Sequence, residues 1–191
     1  MSKSFKNEQS GRSMVEMLGV LAIIGVLSVG GISGYSKAMA KYKLTKAQDQ
    51  MAMILINIRT AFASAPSYAG LDKSAAIAMN IVPGDMLPAG IGKGSTIKNA
   101  FGGDTVIACG TTGEDGACDD STKFSIQFKG LGKETCASLA SSDWGSDGLV
   151  KISINGTEHT YGTDQLPVPP GTAVEECTSQ TADNKIIWVY Y

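Results

Sequence analysis

Four cysteines, Cys109, Cys118, Cys136 and Cys177, and a single histidine, His159, are the residues of this 191-residue chain best suited to covalent, metal or nucleophilic chemistry. The cysteines show no C-x-x-C spacing and no histidine beside them, so zinc has no ligand frame. Being even in number, they permit three disulfide pairings, which spacing alone leaves open. One imidazole, with no G-x-S-x-G and no phosphate-binding glycine loop, argues against an enzyme. Asp104, Glu114, Asp115, Asp119 and Asp120 crowd together and raise the question of calcium. They lack EF-hand spacing, and a solvated acidic loop is the simpler expectation, so neither metal nor cofactor is expected. Asn155-Gly156-Thr157 fits a glycosylation triplet but equally a tight hairpin turn, which explains those residues better.

The remaining unusual group is the carboxylate of Glu16. It stands at the edge of an apolar run, because Met17 to Ser36 contains no Asp, Glu, Lys or Arg. As a helix rising ~1.5 Å per residue, that run spans the ~30 Å hydrocarbon layer of a membrane. A cleaved secretory signal fits poorly: its apolar middle is usually ~7–15 residues, and here the helical pattern continues without a loop. Gly30 and Gly34 make a small-xxx-small spacing that lets helices approach closely. Within such a run Glu16 is costly unless it lies at headgroup depth, is protonated, or meets a partner charge from another chain.

The segment Gly11-Arg12-Ser13-Met14-Val15-Glu16-Met17-Leu18, continuing Gly-Val-Leu-Ala-Ile-Ile-Gly-Val-Leu-Ser, resembles the class III leader of type IV pilins and the related pseudopilins. The resemblance implies a leader peptide at residues 1–11, cut between Gly11 and Arg12 by an inner-membrane prepilin peptidase. It implies N-methylation of the new terminus at Arg12, although family members usually begin with Phe or Met. Glu16 then becomes the fifth mature residue and an assembly group, pairing with the amine of an incoming subunit stacked at an axial offset. In a low-dielectric core both attraction and desolvation are large, so the pair is expected to set register more than stability.

These residues are positioned by one long helix. Leu44, Ala47, Met51, Ile54, Ile58, Ala61 and Ala65 step by three and four, an apolar stripe broadened by Leu55 and Phe62, while Lys43, Lys46, Gln50, Asn57, Thr60 and Ser64 line a polar face. Pro66 ends the pattern. The expected helix runs from Arg12 to Ala65: residues 12–36 form a protruding transmembrane and filament-core half, and residues 37–65 an amphipathic half packed on a globular head. The head, residues 66–191, reads as a short helix over Asp72 to Asn80 and strands at Thr105 to Cys109, Lys123 to Lys129 and Lys185 to Tyr191. A hairpin spans Val150 to Tyr161, in which Ile152 faces His159, making that histidine a packing residue. The whole is an α+β fold, with the long helix across an antiparallel sheet, pilin-like. Tyr68-Ala-Gly-Leu71, a short helix and Val82-Pro83 also resemble the region after the long helix in type IVb pilins. On that resemblance the nearest-neighbour pairing is chosen: Cys109 with Cys118, and Cys136 with Cys177, the latter similar to the disulfide-bounded C-terminal region of that family.

Charge sharpens the division. Arg12 to Ala65 carries six basic and two acidic residues, whereas Pro66 to Tyr191 carries eight lysines and fifteen acids; the net charge of -2 speaks against a nucleic-acid binder. The expected function is a structural, single-pass membrane pilin subunit that, after leader cleavage, polymerises as a homo-oligomer into a type IV pilus. Assembly machinery with a separate ATPase powers it, and the head is non-cytoplasmic on the resemblance and the cysteines, since the flanking lysines are nearly neutral toward orientation. The alternatives are a pseudopilin or minor pilin of a secretion system, and a membrane-anchored binding module with a cytoplasmic head.

Overall fold

The computed structural model describes residues 14–88, 96–116 and 118–191. The chain runs α1 (Met14–Ala61), α2 (Lys73–Ala78), a 3-10 turn (Gly84–Met86), β1 (Thr105–Cys109), β2 (Phe124–Leu131), α3 (Lys133–Ala140), β3 (Leu149–Ile154), β4 (Thr157–Thr160), α4 (Pro170–Glu176) and β5 (Asn184–Tyr190). It divides into two units, one ending at Lys41 and the other running from Tyr42 to Tyr191.

In the first unit α1 is apolar all round. Thirteen large apolar side chains between Met14 and Tyr35 are more than half exposed, and an 18-residue window has a mean hydropathy of 2.2 with nothing in it buried. The hydroxyls of Ser28 and Ser36 donate back to the carbonyls of Ile24 and Ile32. That removes two polar groups from the apolar surface.

The second unit is built on an antiparallel sheet of order β1-β2-β5-β3-β4. Alternation along the strands places Phe124, Ile126, Phe128, Ile152, Ile154, Ile186, Trp188 and Tyr190 on one face, and all are buried. Ala47, Met51, Ile54 and Ile58 of α1 enter the same core. Each large side chain so buried contributes roughly 1.5–3 kcal/mol. Aromatic rings run from Phe62 through Tyr68 and Phe124 to Tyr190, with centroids 4.7–5.7 Å apart. The β3–β4 turn is made by Asn155 and Gly156, both at positive φ, as a two-residue hairpin requires.

The structure corrects three expectations. First, α1 ends at Ala61 rather than Ala65. Ala63 and Ala65 close tighter i→i+3 turns onto Thr60 and Phe62, because Pro66 bars helical angles at its predecessor and Phe62 turns toward Tyr68. Second, Gln50 does not lie on a solvated face: it is buried, donating to Asp85 and accepting from the amide of Ala100. Lys46 pairs with Asp85 at 2.9 Å, and Asn57 donates to the carbonyl of Ile81. The polar stripe thus satisfies the connecting segment after α2. Third, the segments around Cys136 and before Cys177, for which the sequence predicts no helix, form α3 and α4, each too short to show a helical period.

Candidate functional site

Glu16 stands near the start of the described part of α1. Met17, Val20 and Ile23 beside it are exposed, and among the described residues a Cβ added at Gly19 would touch nothing. This stretch of the helix therefore offers one anion on an apolar surface. The expected cleavage and methylation positions, Gly11 and Arg12, lie outside the described residues.

In the second unit the structure joins Cys109 to Cys118 and Cys136 to Cys177, with Cα–Cα separations of 4.8 and 5.9 Å. The first bridge closes the loop carrying Gly113, which lies against Ile187 on the sheet face opposite the main core. The second ties α3 to the residue that follows α4.

The acidic residues between Asp104 and Asp120 are spread among separate partners. Asp104 pairs with Lys98, Asp115 caps the amide of Lys73, and Asp119 accepts from both the amide and the hydroxyl of Thr111. Hydrogen bonds from Lys123 and Thr122 hold the Asp120 carboxyl down at about 2. Among the described residues no three His, Cys, Asp or Glu side chains converge on a point that could hold a metal ion.

His159 pairs across the strands with Ile152, but it also does something spacing did not suggest. Its Nε2 lies 3.0 and 2.8 Å from the two carboxylate oxygens of Glu176, and both side chains are largely buried. The two residues are seventeen positions apart on different elements, so no local motif announces the contact. Asn155 adds to the same fastening: its Nδ2 donates to the Glu176 carbonyl and to Asn184 Oδ1, and its Oδ1 accepts from the Lys185 amide. The hairpin tip is thereby clamped to α4 and to the start of β5. Removing the ring while leaving the carboxylate buried should cost about 1–3 kcal/mol in the His159→Ala variant. Urea denaturation measures this, and His159→Gln, which still donates, should recover part of the loss.

Residues 41–191 match the model of the family described as PilS N terminal. The fold is similar to the crystal structure of a type IV b pilin from Salmonella typhi, at 22% identity and a TM-score of 0.55, over 78% of this chain and 97% of that one. It is similar also to TcpA, a type IV pilin from the Vibrio cholerae El Tor biotype, at 18% identity and a TM-score of 0.50, over 78% and 99%. No curated protein sequence matches the chain.

Proposed function

This chain belongs to the PilS N-terminal family and has a type IV pilin fold, and from that premise we propose that it is a structural subunit of a type IVb-like pilus. The leader, residues 1–11, is removed by a prepilin peptidase in the inner membrane, and Arg12 becomes the methylated terminus. The first half of α1 first holds the subunit in the membrane and then enters the filament core, with heads outside. A separate ATPase drives assembly, since the sequence has no phosphate-binding glycine loop.

One observation carries this reading: between Met14 and Tyr35 α1 presents apolar side chains on every side, with Glu16 the one carboxylate among them. Exposed to water, each large aliphatic group forgoes roughly 1.5–3 kcal/mol of burial. Lipid satisfies the apolar surface but not the anion, whereas copies of the same helix supply both apolar contact and, at each new N-terminus, a cation. Cys136–Cys177, within the head, supports a non-cytoplasmic destination.

Electron microscopy of material sheared from cells, with mass spectrometry of its N-terminus, tests the reading. Fibres whose subunits begin at Arg12 are expected. Gly11→Val should leave the precursor uncut, seen as slower gel migration, and should abolish those fibres. Short or absent fibres at low copy number would point instead to a minor pilin or pseudopilin. An untrimmed monomer in the presence of the full export machinery would overturn the proposal.

A further inference from the structure

Asn155 is the one asparagine in the sequence that is followed by glycine. Glycine has no Cβ to screen its amide, so the Gly156 nitrogen can attack Cγ of Asn155 whenever the side chain turns toward it. On the attacking side nothing in the fold prevents this. Among the described residues the Gly156 amide donates to no other group, and nothing lies within 4 Å of where a Cβ would stand on it. The group under attack, by contrast, is held by both of its polar atoms. Asn155 Nδ2 donates to the Glu176 carbonyl at 2.8 Å and to Asn184 Oδ1 at 2.9 Å, and its Oδ1 accepts from the Lys185 amide at 3.0 Å.

The surrounding network requires an amide at this position. Asn184 is buried; its Nδ2 donates to the carbonyls of Leu131 and Ser179, and its Oδ1 accepts from the Ser179 amide. Reversing the Asn184 amide would set oxygen against two carbonyls, so it presents an acceptor to Asn155, and position 155 has to supply the donors. A carboxylate there has no hydrogen to give.

We propose that Asn155 is a spontaneous deamidation site guarded by the fold, and that its conversion makes opening of the hairpin tip irreversible. When the tip leaves its partners on α4 and β5, the Gly156 nitrogen bonds to Asn155 Cγ and closes an imide ring. The Cγ–Nδ2 bond breaks, and Nδ2 departs as ammonia with its own two hydrogens and the Gly156 amide proton. Water, which reaches this exposed turn, then opens the ring at either carbonyl and leaves aspartate or isoaspartate. Aspartate sets a charged oxygen against the Glu176 carbonyl and Asn184 Oδ1, two acceptors left without a donor. Isoaspartate adds a main-chain carbon to a two-residue turn whose register pairs Ile154 with Thr157. Neither product restores the clamp, so a transient local opening is recorded in covalent form.

The full-length chain, kept folded in mild detergent at neutral pH, is incubated beside the same chain in urea, and fragment-ion mass spectrometry reads the amide-to-acid mass change at residue 155. Conversion in the folded chain should be at least about tenfold slower than in urea, because the attack has to wait for an opening that breaks three hydrogen bonds. His159→Ala, which loosens β4 from α4 and leaves Asn155 in place, should narrow that gap, and His159→Gln should widen it again. Asn155→Asp, which reproduces one product, should unfold at a lower urea concentration than the unmodified chain or fail to form the head at all. Equal conversion in the folded and urea-treated chains overturns the proposal. So does a His159→Ala chain that converts no faster than the unmodified one, or an Asn155→Asp chain of unchanged stability.

Discussion

Cells making the Glu16→Ala variant should hold as much membrane-inserted protein as cells making the unmodified chain, yet shed at least about tenfold less fibre. Insertion is expected to survive because the substitution removes the one charge from an otherwise apolar run, which lowers the cost of entering lipid. Assembly is expected to fail for the converse reason. In the proposed filament core the incoming amine loses its counter-ion, and breaking a buried pair by deleting one member costs about 3–5 kcal/mol. At 1.4 kcal/mol per tenfold, that is roughly two to three and a half decades in an association constant. Glu16→Gln, which keeps hydrogen-bonding capacity without charge, should fall between the two. Normal piliation by Glu16→Ala would show that Glu16 has no part in assembly.

The second large effect concerns the head. Replacing Cys136 and Cys177 by serine should destabilise it by about 4 kcal/mol, the chain-entropy value for a closure spanning 41 residues. Against a typical total of about 5–15 kcal/mol, that is a large share. Replacing Cys109 and Cys118, separated by 9 residues, should cost less, about 2.5–3 kcal/mol on the same account. The order has a structural reason as well as an entropic one. Cys136 and Cys177 fasten two short helices, α3 and α4, neither of which would be stable alone. The smaller bridge closes only the loop that lies against Ile187. Urea unfolding of the two variants measures both values, and the reverse ranking would show that the long closure is not what holds α3 and α4 in place.

Much of the architecture was legible from nearest neighbours in the chain. The strand at Thr105–Cys109 has the bounds expected from its β-branched run. The hairpin pairs Ile154 with Thr157 and Ile152 with His159, as a two-residue Asn-Gly turn dictates. The short helix expected over Asp72 to Asn80 forms as α2, Lys73–Ala78, with Asp72 accepting from the Ala75 amide at its start. Gln50 shows where such reading stops. On a helical wheel it belongs with Lys43 and Lys46, yet it is buried, because the segment carrying Asp85 and Ala100 folds over it and supplies an acceptor and a donor. Burial of an amide follows from its partners, and those partners lie 35 and 50 residues away.

The candidate site divides along the same line. Glu16, its charge-free surroundings and the leader-like segment before it can be recognised within a few residues of chain, and the basic and acidic halves of the molecule by counting. The approach of both Glu176 carboxylate oxygens to His159 Nε2 has no local signature.

Periodicity, turn chemistry and the length of an apolar run belong to consecutive residues, and backbone sterics together with the transfer of side chains out of water fix their outcome wherever the segment ends up. That is why the long helix, the Asn155 turn and the alternating strands were evident before any folding was known. The placement of β5, last in sequence, between β2 and β3 is a property of the packed core instead. So are the cysteines that meet and the partner each buried polar group finds. Segments far apart in the chain come together only through shared burial of Phe128, Trp188 and the α1 stripe, and nothing in either segment by itself specifies the other.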